Sequence, residues 1–136
     1  MRMGLFSKKT KAKPVVETQG LRIEYDPEHE LWQFSHKGTD YVAYGPTFVV
    51  PPVERLASIQ ADIDRLRPEM IRRLAEGWKD AKDVKTNDGE SYLVNLTDFH
   101  SSGTFEVSWS GGESWGDMGV DFTINNHEIT DESWGD

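Results

Sequence analysis

The chain has 136 residues, no cysteine, and a formal net charge of −9 from 24 acidic and 15 basic side chains. That length fits one domain with its own core. The absence of cysteine excludes disulfides, thiolate nucleophiles and Cys-ligated zinc, and is consistent with a reducing, cytoplasmic location.

The charge is unevenly spread. Residues 1–13 carry Arg2, Lys8, Lys9, Lys11 and Lys13 and no acid, whereas after Lys85 there is no lysine or arginine and eleven carboxylates follow. A basic tail on an acidic body is therefore expected, and an acidic body argues against the basic face of a nucleic-acid binder. Residues 1–18 are assigned to a basic flexible tail and 19–136 to a single domain. The tail lacks the apolar core of a signal peptide. No apolar run approaches the roughly 20 residues of a membrane span.

From Gly20 the hydrophobic pattern has period two. "LRIEYD" and "LWQFSH" alternate apolar and polar residues, with "DPEHE" and "KGTD" as turns. "YVAYGPTFVVPP" supplies a third strand, interrupted at Gly45-Pro46. This is the signature of an antiparallel meander with one buried side. Pro51-Pro52 then opens a helix whose apolar residues Leu56, Ile59, Ile63, Leu66, Met70, Leu74 and Trp78 recur in steps of three and four. The stripe keeps its phase through Pro68, which predicts one long helix kinked at the proline. Arg65, Glu69, Arg72, Arg73 and Glu76 are expected to form a solvated flank.

"TNDGES" leads into "SYLVNLTDF", the turn "HSSG", "TFEVSWS", and a final hairpin, "MGVDFTI" and "HEITDESW", joined at Asn125-Asn126. The predicted fold is α+β: an N-terminal β-meander, a long Pro-kinked helix and a C-terminal β-meander forming one antiparallel sheet, with the helix packed on one face.

The tetrapeptide Ser-Trp-Gly-Asp occurs at 114–117 and again at 133–136. With Asn125-Asn126 as the turn, Phe122 faces Ile129, Asp117 faces Trp134 and Trp115 faces Asp136. Parity then places Trp115, Asp117, Asp121, Glu132, Trp134 and Asp136 together on the face opposite Phe122 and Ile129. A β-bulge among the glycines of 111–120 would reverse that parity. Two indoles among carboxylates suit a basic protein surface or a stacked cation. The same tryptophans could instead cover neighbouring glycines as packing.

With these elements placed, "GTFEVSWSGGESWGDMGVDFTI" resembles the C-terminal half of a family of small bacterial domains of unknown function. In that family a long helix precedes a strand, an aromatic-rich strand, an acidic Gly-containing turn and an aromatic-Gly strand. The resemblance covers residues 50–131 and implies no established activity, although some such domains are similar to immunity proteins that neutralise toxins.

The chemistry-bearing motifs are few. Asp26, Glu28, His29 and Glu30 sit in a turn and lack a second spaced ligand pair, so no metal is expected. No phosphate-binding or nucleophile-elbow motif occurs, and no cofactor is expected. The favoured function is a non-enzymatic domain that binds a basic protein through its acidic, Trp-bearing sheet edge. The alternative is a carbohydrate or small-molecule module stacking its ligand on the indoles. A hydrolase using carboxylates from Asp117, Asp121 and Asp136 is the least favoured.

Overall fold

The computed structural model describes residues 14–77, 91–110 and 119–135. Eight strands form one sheet in sequence order: β1 (Val15–Thr18), β2 (Leu21–Asp26), β3 (Leu31–His36), β4 (Thr39–Tyr44), β5 (Ser91–Asn95), β6 (Phe105–Ser110), β7 (Gly119–Asn125) and β8 (Glu128–Gly135). The long helix α1 (Val53–Gly77) lies between β4 and β5, and the single-turn α2 (Phe99–Ser102) precedes β6. Residues 15–18, assigned from the sequence to the tail, form β1 and pair with β2, Val16 opposite Ile23. Residues 1–13 and the "TNDGE" turn lie outside the described residues.

Tight turns set the strand pairing. The β1–β2 turn is Gln19-Gly20, with φ of 54° and 78°, and the β3–β4 turn is Lys37-Gly38, with φ of 51° and 82°. Two successive positive φ values give the local twist that matches a right-handed hairpin, and glycine adopts the second without a Cβ clash. Between β2 and β3 the loop is longer, and Asp26 Oδ1 accepts the Glu28 N–H at 3.0 Å to close an Asx turn.

The sheet is not wholly antiparallel, as the sequence pattern suggested. β4 and β5 run parallel, Tyr41 opposite Val94 and Val42 opposite Asn95. The cause is the connection: one helix carries the chain back along the sheet, so the next strand starts at the end where the last one started. The other neighbouring pairs are antiparallel.

α1 is continuous through Pro68. The proline removes the donor that the Asp64 carbonyl would normally receive, but both residues are exposed, so water can serve that carbonyl. Leu56, Ile59, Ile63, Met70 and Leu74 are buried as the periodicity predicted, with Leu66 partly so. They belong to the same core cluster as Val94, Val107, Trp109, Val120, Phe122 and Ile124 from the strands. Each such side chain removed from water contributes about 1.5–3 kcal/mol before conformational entropy is counted. The Trp109 indole N–H lies 3.4 Å from the Met70 sulfur, and the Thr39 hydroxyl donates to Gln60 Oε1 at 2.7 Å.

One buried polar atom is left over. Tyr41 stacks on Phe34 with ring centroids 4.9 Å apart, and its hydroxyl has no hydrogen-bond partner among the described residues. Burial and the nearby Tyr92 push that phenol up to about 12.

Candidate binding face

Strand alternation separates two sheet faces. Phe105, Val107 and Trp109 of β6 and Val120, Phe122 and Ile124 of β7 turn to the core. Glu106, Ser108, Asp121 and Thr123 turn the other way, with Glu106 opposite Thr123 and Ser108 opposite Asp121. Ser133 and Asp131 of β8 join them by pairing with Asp121 and Thr123, and Asn95 of β5 joins by pairing with Glu106.

This polar face concentrates negative charge. The Glu106 carboxyl is pushed above the usual range, first by burial and then by the fields of Asp121, Asp98 and Asp131. No positive group offsets them from their own strands, because the chain after Lys85 contains neither lysine nor arginine. Two hollows open on the polar face. One of 400 Å³ is lined by Tyr44, Asn95, Thr97, Asp98, Glu106 and Thr123 among others. A broader one of 680 Å³ lies over β2, β3 and β4, between Arg22, Gln33, Ser35, Asp40 and Val42.

The residues singled out from the sequence do not stay together. Asp121 lies on the polar face, but Glu132 and Trp134 lie on the core side, opposite Phe122 and Val120. The last hairpin differs from the expected one in two ways, of which the second moves the faces. Its turn is Asn126-His127, at φ 53° and 71°, rather than Asn125-Asn126, so Ile124 faces Ile129. An irregularity in the pairing between Thr123 and Ile124 then leaves Thr130 as an extra residue in β8, which reverses every later side chain. Trp134 therefore pairs with Val120, not Asp117. Trp115, Asp117 and Asp136 lie outside the described residues.

On the core side, Trp134 and Glu132 are tied to the helix. The Trp134 indole N–H donates to Glu132 Oε2 at 2.8 Å, and Glu132 Oε1 accepts from Arg73 Nη1 at 3.0 Å. Arg73 and Arg72 both donate to Glu69, each at 2.7 Å to Oε2, and hold its carboxyl down at about 2. The six-membered part of the indole covers Gly77, where a Cβ would sit 3.0 Å from Cζ3 and closer still to Cη2 and Cζ2. Part of the helix flank expected to be solvated thus docks on β8.

Asp26, Glu28 and His29 are the one described group whose ligand atoms approach within 4.8 Å of one another. The Asp26 carboxylate is already engaged by the Glu28 N–H and by His29 Nδ1 at 2.8 Å, and the His29 bond lowers its pKa. Both Glu28 and His29 are exposed, and the arrangement is explained as a closed turn.

Sequence reasoning missed Glu106, which alternates with Phe105 and Val107 like any outward residue. Its importance comes from neighbours on other strands, and those follow only from strand pairing. It also missed Asp62, although the signal was there: a carboxylate between Ile59, Ile63 and Leu66 on the apolar stripe needs a partner. No family model, curated protein or solved structure matches this chain.

Proposed function

We propose that this is a non-enzymatic, cytoplasmic binding domain whose open sheet face receives a basic protein. Buried residues of α1 share the core cluster with the strands, and among the described residues no helix covers the opposite face. The single observation that carries this reading is Glu106, a carboxylate held in a partly buried position beside Asp98, Asp121 and Asp131. Like charges gathered with no counter-ion among the described residues destabilise the free domain, and a lysine or arginine from a partner relieves them. The expected Trp-bearing surface gives way to this one because Glu132 and Trp134 are occupied by Arg73 and Gly77.

The reading agrees with the resemblance to immunity-like domains, since an acidic face suits the capture of a toxin that presents a basic surface. For a carbohydrate module stacking sugars on Trp115 and Trp134, the Trp134 indole is engaged within the fold and Trp115 lies outside the described residues.

The test is recovery of proteins from native host lysate by wild type and by a Glu106→Gln/Asp121→Asn/Asp131→Asn variant, at about 0.05 M and about 0.5 M NaCl. A basic protein held by wild type at low salt, lost at high salt and lost from the variant is the expected result. Equal recovery by both proteins at both salt concentrations would remove the polar face from consideration. Among the described residues no helix is long and apolar enough to cross a membrane.

A further inference from the structure

We propose that the cavity where the first turns of α1 meet α2 and the β7–β8 turn binds a phosphate group, with His127 and Arg55 as its principal contacts. The cavity measures 360 Å³ and lies at the end of the sheet, away from the Glu132–Trp134 contact with the helix C-terminus.

Its central feature is a histidine fixed from two sides. Asp62 is 8 % exposed, and its two carboxylate oxygens lie 3.0 and 3.1 Å from His127 Nδ1. Arg65 donates to Asp62 Oδ1 at 3.2 Å and also to the His127 backbone carbonyl. A carboxylate only accepts, so Nδ1 carries a ring proton, and in the neutral ring Nε2 presents its lone pair. Nε2 has no partner among the described residues, and the side chain is 66 % exposed.

The remaining walls offer donors with nothing to donate to. Arg55 makes no side-chain hydrogen bond or ion pair among the described residues, and neither Ser58 nor Asn126 has a side-chain bond there. Asn125 uses its oxygen to accept from Thr104 at 3.4 Å, which leaves its amide hydrogens. The one carboxylate in the wall, Asp62, is already satisfied by His127 and Arg65. A cavity with spare donors, one fixed acceptor nitrogen and an unpaired guanidinium suits a ligand rich in acceptors that carries one acidic hydroxyl. The phosphate monoanion meets both conditions: its P–OH donates to His127 Nε2 while its other oxygens accept from Arg55, Ser58 and the asparagine amides. Sulfate has the same shape and no proton to give.

The test is an NMR titration that follows the His127 ring signals of the full chain, adding inorganic phosphate, methyl phosphate, sulfate or chloride at matched ionic strength. Phosphate is expected to bind saturably and several-fold more tightly than sulfate, with chloride producing no comparable shift. Arg55→Gln should weaken phosphate binding about tenfold, the scale of one charge-assisted contact. His127→Asn, followed through the backbone amide signals of the β7–β8 turn, keeps a residue that tolerates the turn's positive φ and should abolish the preference for phosphate over sulfate. Tighter binding of methyl phosphate assigns the site to a phosphate ester, and tighter binding of inorganic phosphate to the free ion; either supports the proposal. Chloride shifts equal to those of phosphate, or phosphate binding that Arg55→Gln leaves unchanged, would overturn it.

Discussion

Glu106 and Glu69 are two glutamates on which the fold acts in opposite directions. Burial and three neighbouring carboxylates raise the Glu106 pKa above its ordinary 4.5. Above the raised pKa the group is ionised in the folded and unfolded chains alike, and only the folded chain bears the unfavourable field. Glu106→Gln should therefore stabilise the protein at pH 7, and the gain should vanish as pH falls through the raised pKa and then past 4.5. Glu69 is the reverse case, held down from 4.5 to about 2 by Arg72 and Arg73. Its contribution is complete above 4.5 and is lost as pH falls toward about 2, so Glu69→Gln should be the less stable protein at pH 7, with the gap closing in acid. Urea midpoints for both variants from pH 7 to pH 2 check the two signs. A Glu106→Gln variant less stable than wild type at pH 7 would mean that the carboxylate is paired, and would weaken the binding proposal with it.

At the scale of elements, most of the secondary structure was legible and one register was not. The period-two runs became β2, β3, β4, β6 and β7, and the helical stripe became α1 with its phase intact through Pro68. The last hairpin was misplaced because two adjacent asparagines and a histidine offer more than one acceptable turn, and because one extra residue at Thr130 leaves no mark in composition. What selects the observed register is tertiary: Ile124 meets Ile129, His127 meets Asp62, Glu132 meets Arg73 and Trp134 covers Gly77. The face expected to join Asp121 with Glu132 and Trp134 fell with the register, since a parity reversal moves the two β8 residues to the core side. The Trp134–Gly77 contact gives a test with a sign change. In a helix an alanine is worth about 1 kcal/mol more than a glycine, but at position 77 its methyl would collide with the indole, and overpacking costs about 1–3 kcal/mol. Gly77→Ala should thus destabilise wild type, yet stabilise a Trp134→Ala background, as read from urea midpoints at unchanged m. Stabilisation in both backgrounds would show that the indole moves aside at little cost.

For the whole molecule, the sequence made the charge asymmetry plain but not which acids meet, because that depends on β5, β6, β7 and β8 lying side by side. Nor did it mark the parallel β4–β5 pair, a consequence of joining two strands through a single helix. The formal charge of −9 sets repulsion across the molecule against a small number of ion pairs, among them Arg73–Glu132, Arg72–Glu69 and Arg65–Asp62. Exposed pairs contribute about 0–1 kcal/mol each, and salt weakens them as it weakens repulsion. With five of the 15 basic side chains placed in residues 1–13, the rest of the chain is more acidic than the total suggests, and repulsion should dominate. Raising NaCl from about 0.01 to about 0.2 M should therefore raise Tm, while the same change weakens attachment of a basic partner. Removing residues 1–13 should steepen the Tm response, because the balancing positive charge goes with them. A Tm that fell with salt would reverse the ranking and place the ion pairs along α1 above the acidic face in the energetics of the fold. Opposite salt responses of stability and binding would instead identify one feature, the uncompensated carboxylates, as the source of both.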